Sequence, residues 1–527
     1  MPAHAWLVGG GISALSAATL LVRGGRIDPA RIHVLEGSDL FGGSLDGGGS
    51  SGSGWTTRGG RMFEPHFVCT FDLFDRVAAE GIPSIEPIGG GRSGSVGELI
   101  RRFNASLVPS SHCRLVRDRI GIEAPPLGLD LGGRLALARL FFARESTLGR
   151  RTIEEYFGPD FLRTDFWTMW CSMFAFQPWH GVVEMRRYMH RFCHLMPGFN
   201  RLEGVLRTPL NQYDSLIQPL LRDLDAAGVD LRTRTQVTDI DFDEGANRVT
   251  ALDLIEEGDA RRIDVTPEDR VFVTLGSMTE DSSFGSLESP APLNDRSQGP
   301  AWSLWRRIAQ RSPRFGRPEA FCSNIGKTRW LSFTATLDDS TFFDFMRGFS
   351  RNEHGTGGIL TFPDSAWLIS VFLPRQPHFA GQMPQERVFW GYGLRPSATG
   401  DRVRKPMADC SGGEMLRELA HHLGVVDHEE VFFGDARCIP CQMPYITSQF
   451  MPRLPGDRPA VVPEGAANFA FLGQFCEIPN DTVFTVEYSV RSAYLAVAAL
   501  AGGDPPPPVH HGAWNPLVAI RALRALA

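Results

Sequence analysis

The sequence predicts an α/β protein, and three observations carry that expectation. A short apolar run near the start leads into a glycine turn, a helix-like stretch and a second apolar run that ends on an acidic residue. Short alternating segments return at 226–275 and again near 469–474, as strands added around that unit would. Between them lie a stretch at 131–213 rich in Phe, Trp, Met and Leu and a mixed region from about 290 to 430. A chain of 527 residues exceeds the roughly 250–300 that one hydrophobic core sustains, so two or more lobes are expected.

The elements follow in order. Ala5 to Val8 are apolar and run into Gly9-Gly10-Gly11-Ile12-Ser13-Ala14. Gly9 permits the tight turn, Gly11 lets a pyrophosphate approach the backbone, and Ala14 stands where a third glycine would meet the strand. Ile12 and Ser13 open the helix, whose free N–H groups and positive dipole end suit phosphate. A second strand, 32–35, ends at Glu36, 22 residues beyond Ala14 and near the roughly 20 expected of a ribose-binding carboxylate. A purely structural βαβ unit is the bland alternative. NAD and FAD both fit this far, and the second glycine turn, Gly42-Gly43-Ser44, favours FAD. The fold class is therefore a Rossmann-like FAD-binding lobe with an inserted, largely helical substrate lobe and a mixed α+β region. The FAD lobe is expected over 1–125, 226–290 and 431–504, the helical lobe over 126–225 and the mixed substrate-binding region over 291–430. A tail, 505–527, follows a proline run.

Residues 42–60 are glycine-rich and read either as a linker or as a mobile loop over the cofactor. Phe166, Trp170 and Phe174 sit at helical spacing, in a lobe apolar enough for a lipid-like ligand, although such stripes are more often core. The run 469–474 looks like a buried strand, with a helix beginning near Thr482.

Composition narrows the function. The chain is 43% hydrophobic and 21% charged with a formal charge of −7, which gives no reason to expect nucleic acid. No apolar run reaches the roughly 18 residues that span a bilayer, and the N-terminus does not read as a signal peptide. Nine scattered cysteines argue against a disulfide framework, so a soluble, reduced, cytoplasmic protein is expected. Cys438-Ile439-Pro440-Cys441 lacks the second pair of a zinc ribbon. His190 and His194 are spaced as two ligands on one helix face, but no third is evident, and no metal is expected. Arg58-Gly59-Gly60-Arg61 could grip phosphate or carboxylate, or simply be solvated.

Read together, several long segments resemble a known family: LVGGGISALSAA, IHVLEGSDLFGGSLDG, RGGRMFEPHF, MFAFQPWHGVVEMRRY, NQYDSLIQPL, VFVTLGSMTE, RQPHF, MPYITSQFMPR, GDRPAVVPEG and FLGQFCEIPNDTVFTVEYSVRSA. They resemble the oleate hydratases, the myosin-cross-reactive antigen family of flavoproteins, in family order from residue 7 to about 493. The resemblance implies an FAD-dependent hydro-lyase that adds water to the cis-9 double bond of oleic acid, giving 10-hydroxystearic acid. It implies flavin contacts at Gly9, Gly11, Glu36, Gly43, Ser44 and Arg58, Gly59, Gly60 and Arg61, completed by Val237, Thr274, Gly473, Thr482 and Ser489. Tyr188 matches the tyrosine that protonates the alkene, and Gln212 and His378 match residues that hold the carboxylate. Three departures stand out. Met62 occupies the place of the glutamate that activates water, Phe372 and Pro374 replace a carboxylate-binding threonine and asparagine, and the chain begins almost directly at the first strand. The last leads to an expected monomer or weak homodimer.

Hydration changes no oxidation state, so FAD is expected as a bound, non-redox cofactor, with the reduced form more active. Met62 cannot accept a proton. Glu64, two residues on, would share its face on an extended segment and could serve as the base; a backbone carbonyl, a second water or much reduced activity are the other readings. The rival functions are a flavin-dependent lipid oxidoreductase or desaturase and a non-catalytic fatty-acid-binding flavoprotein. Loose membrane contact through the tail, which carries Arg521 and Arg524 among apolar residues, is also expected.

Overall fold

The computed structural model describes residues 3–60, 62–82, 94–294, 299–356, 358–512 and 515–526. Five strands form one parallel sheet in the order Phe469–Leu472, Arg270–Thr274, Ala5–Val8, Ile32–Leu35 and Asp230–Arg232. Ala5–Val8, Ile32–Leu35 and Phe469–Leu472 are buried at every residue, as parallel strands covered on both faces must be. The helix Ile12–Gly24 presents Ser13, Ala14, Ala17 and Ala18 as buried small residues, and it packs against the helix Val486–Val497. It stops at Gly25, whose φ of 62° is a left-handed cap that glycine adopts without a Cβ penalty. The antiparallel strands Thr235–Phe242, Val249–Glu256 and Asp259–Asp264 form a separate sheet. This is the expected α/β, Rossmann-like architecture.

A second large sheet has eight strands, in the order Ser283–Phe284, Arg437–Met443, Trp330–Leu337, Arg387–Gly393, Ile369–Phe372, Ile359–Thr361, Cys113–Arg117 and Ile120–Glu123. Two expected boundaries cut through it. Cys113–Arg117 and Arg437–Met443, assigned by sequence to the nucleotide-binding lobe, are strands of this sheet, because an apolar run carries no mark of which distant strand it will pair with. Cys438 and Cys441 lie buried on one of those strands.

Two local expectations change as well. The glycine-rich stretch forms an antiparallel hairpin, Gly47–Ser50 with Gly54–Thr57, rather than a loose loop. The Trp55 and Thr57 N–H groups donate to Thr336 Oγ1 at 3.0 Å and Thr334 Oγ1 at 3.1 Å, which fastens the hairpin to the large sheet. Its glycines answer a backbone need, since Gly49 and Gly54 have φ of 105° and 86°. The return helix begins at Val486 rather than near Thr482. Phe484 sits at φ 70°, which breaks any earlier helix, and the Thr485 hydroxyl caps the Tyr488 N–H at 3.1 Å.

The helices Leu131–Phe142, Asp165–Phe174 and Val182–Phe192 form the inserted lobe. Phe166 and Trp170 are buried in its aromatic core with Phe199. No helix among the described residues is long and apolar enough to cross a membrane.

Candidate active site

The carboxyl ends of the parallel strands open into a cavity, the place where open α/β sheets bind ligands. Gly9, Gly11, Ile12, Ser13, Glu36, Gly43, Ser44, Arg58, Val237, Thr274, Gly473 and Ser489 all line it. Its floor is made by two glycine turns in contact. The Gly42 N–H donates to the Gly10 carbonyl at 2.9 Å, and a Cβ on Gly43 would come within 3.2 Å of the Gly11 Cα. Gly9 has a φ of 97°, and a Cβ there would press on Thr274 at 3.2 Å. Glu36 is held at the edge by the Gly10 N–H at 2.7 Å and the Ser38 N–H at 2.8 Å. The Thr274 hydroxyl is buried without a hydrogen-bond partner, as expected of a group awaiting a ligand. A bare backbone cradle, a helix N-terminus and a carboxylate at ribose distance fit a dinucleotide.

Some expected contacts lie elsewhere. Arg58 lines this cavity, but its guanidinium is engaged by Asp46 through two hydrogen bonds and donates to the carbonyls of Thr279 and Gly43. It braces the turn rather than offering itself to phosphate. Gly59 and Gly60 line a second cavity. Thr482 is buried, and its N–H donates to its neighbour Asp481 at 2.8 Å; it does not line the first cavity. Arg61 lies outside the described residues.

The second cavity brings together Met62, Gln212, Phe372, Pro374 and His378, with Gly59 and Gly60. The segment 57–60 therefore runs between the two cavities, with Arg58 on one side and Thr57, Gly59 and Gly60 on the other. Burial pushes the His378 imidazole down to about 4, so it is neutral near pH 7, and its Nδ1 is buried without a partner. Arg207 also lines this cavity. Burial lowers its guanidinium to about 10, which still leaves it cationic, and it lies 4.9 Å above the Phe372 ring. No carboxylate stands among the described residues lining this cavity.

Glu64 is not beside Met62 in that wall. It is 1% exposed, and although burial alone would raise it, His194, His66 and Arg191 hold it well below the usual carboxylate range. Its oxygens meet Arg191 at 3.0 Å and His66 Nδ1 at 2.9 Å. A carboxylate so committed is not a free base. Phe63 between them pairs with Leu206 as an antiparallel bridge, and directly after Glu64 the chain turns, the Phe67 N–H closing on the Glu64 carbonyl at 3.1 Å; Met62 lines the cavity and Glu64 does not.

Tyr188 is placed by the helix Val182–Phe192. Glu184, Arg187, Tyr188 and Arg191 recur at three- and four-residue steps and so share one face. Glu184 pairs with Arg453 at 2.7 Å, Arg187 with Glu477 at 2.7 Å, and Arg191 approaches Asp481 at 3.9 Å. The last two pairs fix the helix against 477–484, and the first ties it to Arg453. The Tyr188 hydroxyl there donates to the Val483 carbonyl at 2.6 Å, within a cage of Phe174, Phe176, Phe192 and Phe450. The next residue, Phe484, donates its N–H to Gln474, which lines the first cavity beside Ser489. Tyr188 thus stands one peptide behind the wall of the nucleotide cavity and does not line the second cavity.

Comparison with known proteins decides the lineage. A family model, described as the MCRA family, matches residues 2–498. The chain belongs to the MCRA family. It is 39% identical over 514 residues to an oleate hydratase of Streptococcus pyogenes serotype M49 (strain NZ131), covering 95% of this chain and 85% of that protein. It is 31% identical over 541 residues to a linoleate hydratase of Lactiplantibacillus plantarum, covering 94% and 93%. Among solved structures, cyclohexylamine oxidase from Brevibacterium oxydans IH-35A superposes with a TM-score of 0.54 at 13% identity, covering 95% of this chain and 99% of that one. Putrescine oxidase bound to putrescine gives 0.52 at 11%, covering 94% and 97%. At such identities these two speak for the fold alone.

Sequence reasoning passed over two groups in this MCRA-family chain. Arg207 sits in a run with no motif signal, and only folding brings it together with Phe372 and His378 in one cavity. Glu280 lines the first cavity; burial, then the neighbouring Asp281, push it up to about 7. Its place inside the segment VFVTLGSMTE was the available clue.

Proposed function

We propose that this MCRA-family chain is a fatty acid hydratase, a hydro-lyase that adds water to the cis-9 double bond of oleic acid to give 10-hydroxystearic acid. The observation that carries the reading is the segment 57–60, which separates a dinucleotide cradle from a cavity holding a buried cation, an amide and a neutral imidazole. The names of the two relatives support the same chemistry.

FAD is the cofactor that fits. Glu36 would take a ribose, the Gly9–Gly11 turn and the start of Ile12–Gly24 the pyrophosphate, and Thr274, Gln474 and Ser489 would lie along the remainder. When bound, FAD supplies a flat surface that shapes the pocket and favours positive charge on the alkene, more so in its reduced form, with no net redox change. The fatty-acid carboxylate is held by Gln212 and His378 together with Arg207, whose stacking on Phe372 takes over where polar groups are missing at 372 and 374. Tyr188 delivers the proton, releasing the Val483 carbonyl as it does so, and the apolar cage around it excludes competing water. Met62 and the committed Glu64 leave water to be oriented by a backbone carbonyl of the 57–60 turn or by a second water, and the proton that the added water sheds returns through solvent to the tyrosinate left on Tyr188, so the acid is restored. The enzyme works as a monomer or weak homodimer, in contact with membrane surface when it collects substrate.

The test is incubation of the purified protein with oleate and FAD under reducing and oxidising conditions, followed by product mass. Addition of the mass of water is the expected result. Loss of two hydrogens would make the protein a desaturase, and an unchanged fatty acid a binding protein.

A further inference from the structure

His66, His194 and His510 come from three remote parts of the chain and converge at one point. His66 precedes the helix Val68–Phe74, His194 follows Val182–Phe192, and His510 lies in the proline-rich tail. One ring nitrogen from each lies within 4.8 Å of the others. The His66 and His510 rings stack at 3.8 Å, and His194 stands edge-on to both, at 4.9 and 5.4 Å. We propose that these three histidines bind one divalent cation of the imidazole-preferring class, zinc being the type case.

The surroundings are those of a metal site rather than of a packing accident. Glu64, buried beneath the cluster, accepts a hydrogen bond from the His66 Nδ1–H at 2.9 Å, which leaves the lone pair on Nε2, the usual support for a ligating imidazole. His194 has a buried Nδ1 with no hydrogen-bond partner. Arg191 is a cation close by. It is neutralised by Glu64 at 3.0 Å, and it donates to the backbone carbonyls of His66 at 2.9 Å and His510 at 3.2 Å, so it positions two ligands instead of repelling the ion. Bonds of about 2.0–2.1 Å would draw the nitrogens closer than they lie here and leave a fourth position for water. The i, i+4 pair suggested by sequence is not the site, since His190 Nε2 is 2.7 Å from the Phe141 carbonyl.

Bound there, the cation fastens the tail to the body. The helix Pro516–Ala525 follows at once, and Ala522 and Leu526 close a small cavity with Phe166, Trp170 and Met189. The ion is thus a clasp on the cover of the helical lobe, independent of the hydration chemistry.

The full-length protein, stripped with a chelator, should be titrated with zinc by calorimetry and followed by thermal unfolding and by limited proteolysis of the tail. One equivalent per chain, a raised Tm and slower tail cleavage are expected, with His66→Gln, His194→Gln and His510→Gln each weakening zinc binding at least about tenfold, or about 1.4 kcal/mol. His510→Gln lies in the tail, so its loss of binding is readable even if the other two disturb the fold. No stoichiometric uptake by the parent would overturn the proposal. So would binding retained in His510→Gln, with the Asp401, Glu418 and His422 cluster then the seat of the metal.

Discussion

Glu280 shows what a single carboxyl does in the nucleotide cavity. Burial, then the negative neighbours Asp281 and Glu36, lift it from 4.5 to about 7. Across that window the folded protein keeps a proton that the unfolded chain has already released, so stability falls as pH rises, by at most about 1.4 kcal/mol per pH unit from this group. Glu280→Gln should flatten the dependence of Tm on pH between about 5 and 7; an unaltered slope would remove Glu280 as its source. Tyr188→Phe makes a second residue-scale prediction. Hydration should fall at least about a hundredfold, as for loss of a positioned acid, while Tm falls only modestly, because the Val483 carbonyl loses one donor worth about 1–3 kcal/mol. Activity within a few-fold of the parent would end the proton-donor role. Gly9, Gly11 and Glu36 were legible in sequence because a tight turn and its acid are set by local spacing. The fate of Glu64 was not, because Arg191 and His194, which commit it, arrive from far along the chain.

At the scale of elements, the glycine turns and the helix Val182–Phe192 do the positioning. A Cβ on Gly11 would meet only the Gly43 Cα, at an ordinary 3.8 Å, and the Gly11 φ of −78° suits any residue. Gly11→Val should therefore fold with a Tm near the parent's yet purify with little flavin, its branched side chain standing where pyrophosphate must approach. A fully yellow variant would place the cofactor elsewhere. The parallel strands were readable as continuous apolar runs, and the aromatic helices by their spacing. The eight-stranded sheet was not, because strands at 113–117 and 437–443 meet only through four others. The hairpin at 47–57 was hidden for a different reason. Its glycines serve positive φ, which composition cannot tell from flexibility.

For the whole molecule, the tail offers an outer surface. Leu517 is 66% exposed and Ile520 45%, beside exposed Arg521 and Arg524. The protein should sediment with anionic vesicles, less so as salt rises, and removal of 516–527 should abolish this. Equal sedimentation with neutral vesicles, or with the truncated chain, would contradict the assignment.

The central claim, hydration without net redox change, is tested most directly by running the oleate reaction in deuterium oxide and locating the label in the product. The account predicts a hydroxyl on carbon 10, one non-exchangeable deuterium on carbon 9, and flavin in the same oxidation state before and after turnover. A product without carbon-bound deuterium, or one formed only as flavin is consumed in stoichiometric amount, would contradict it.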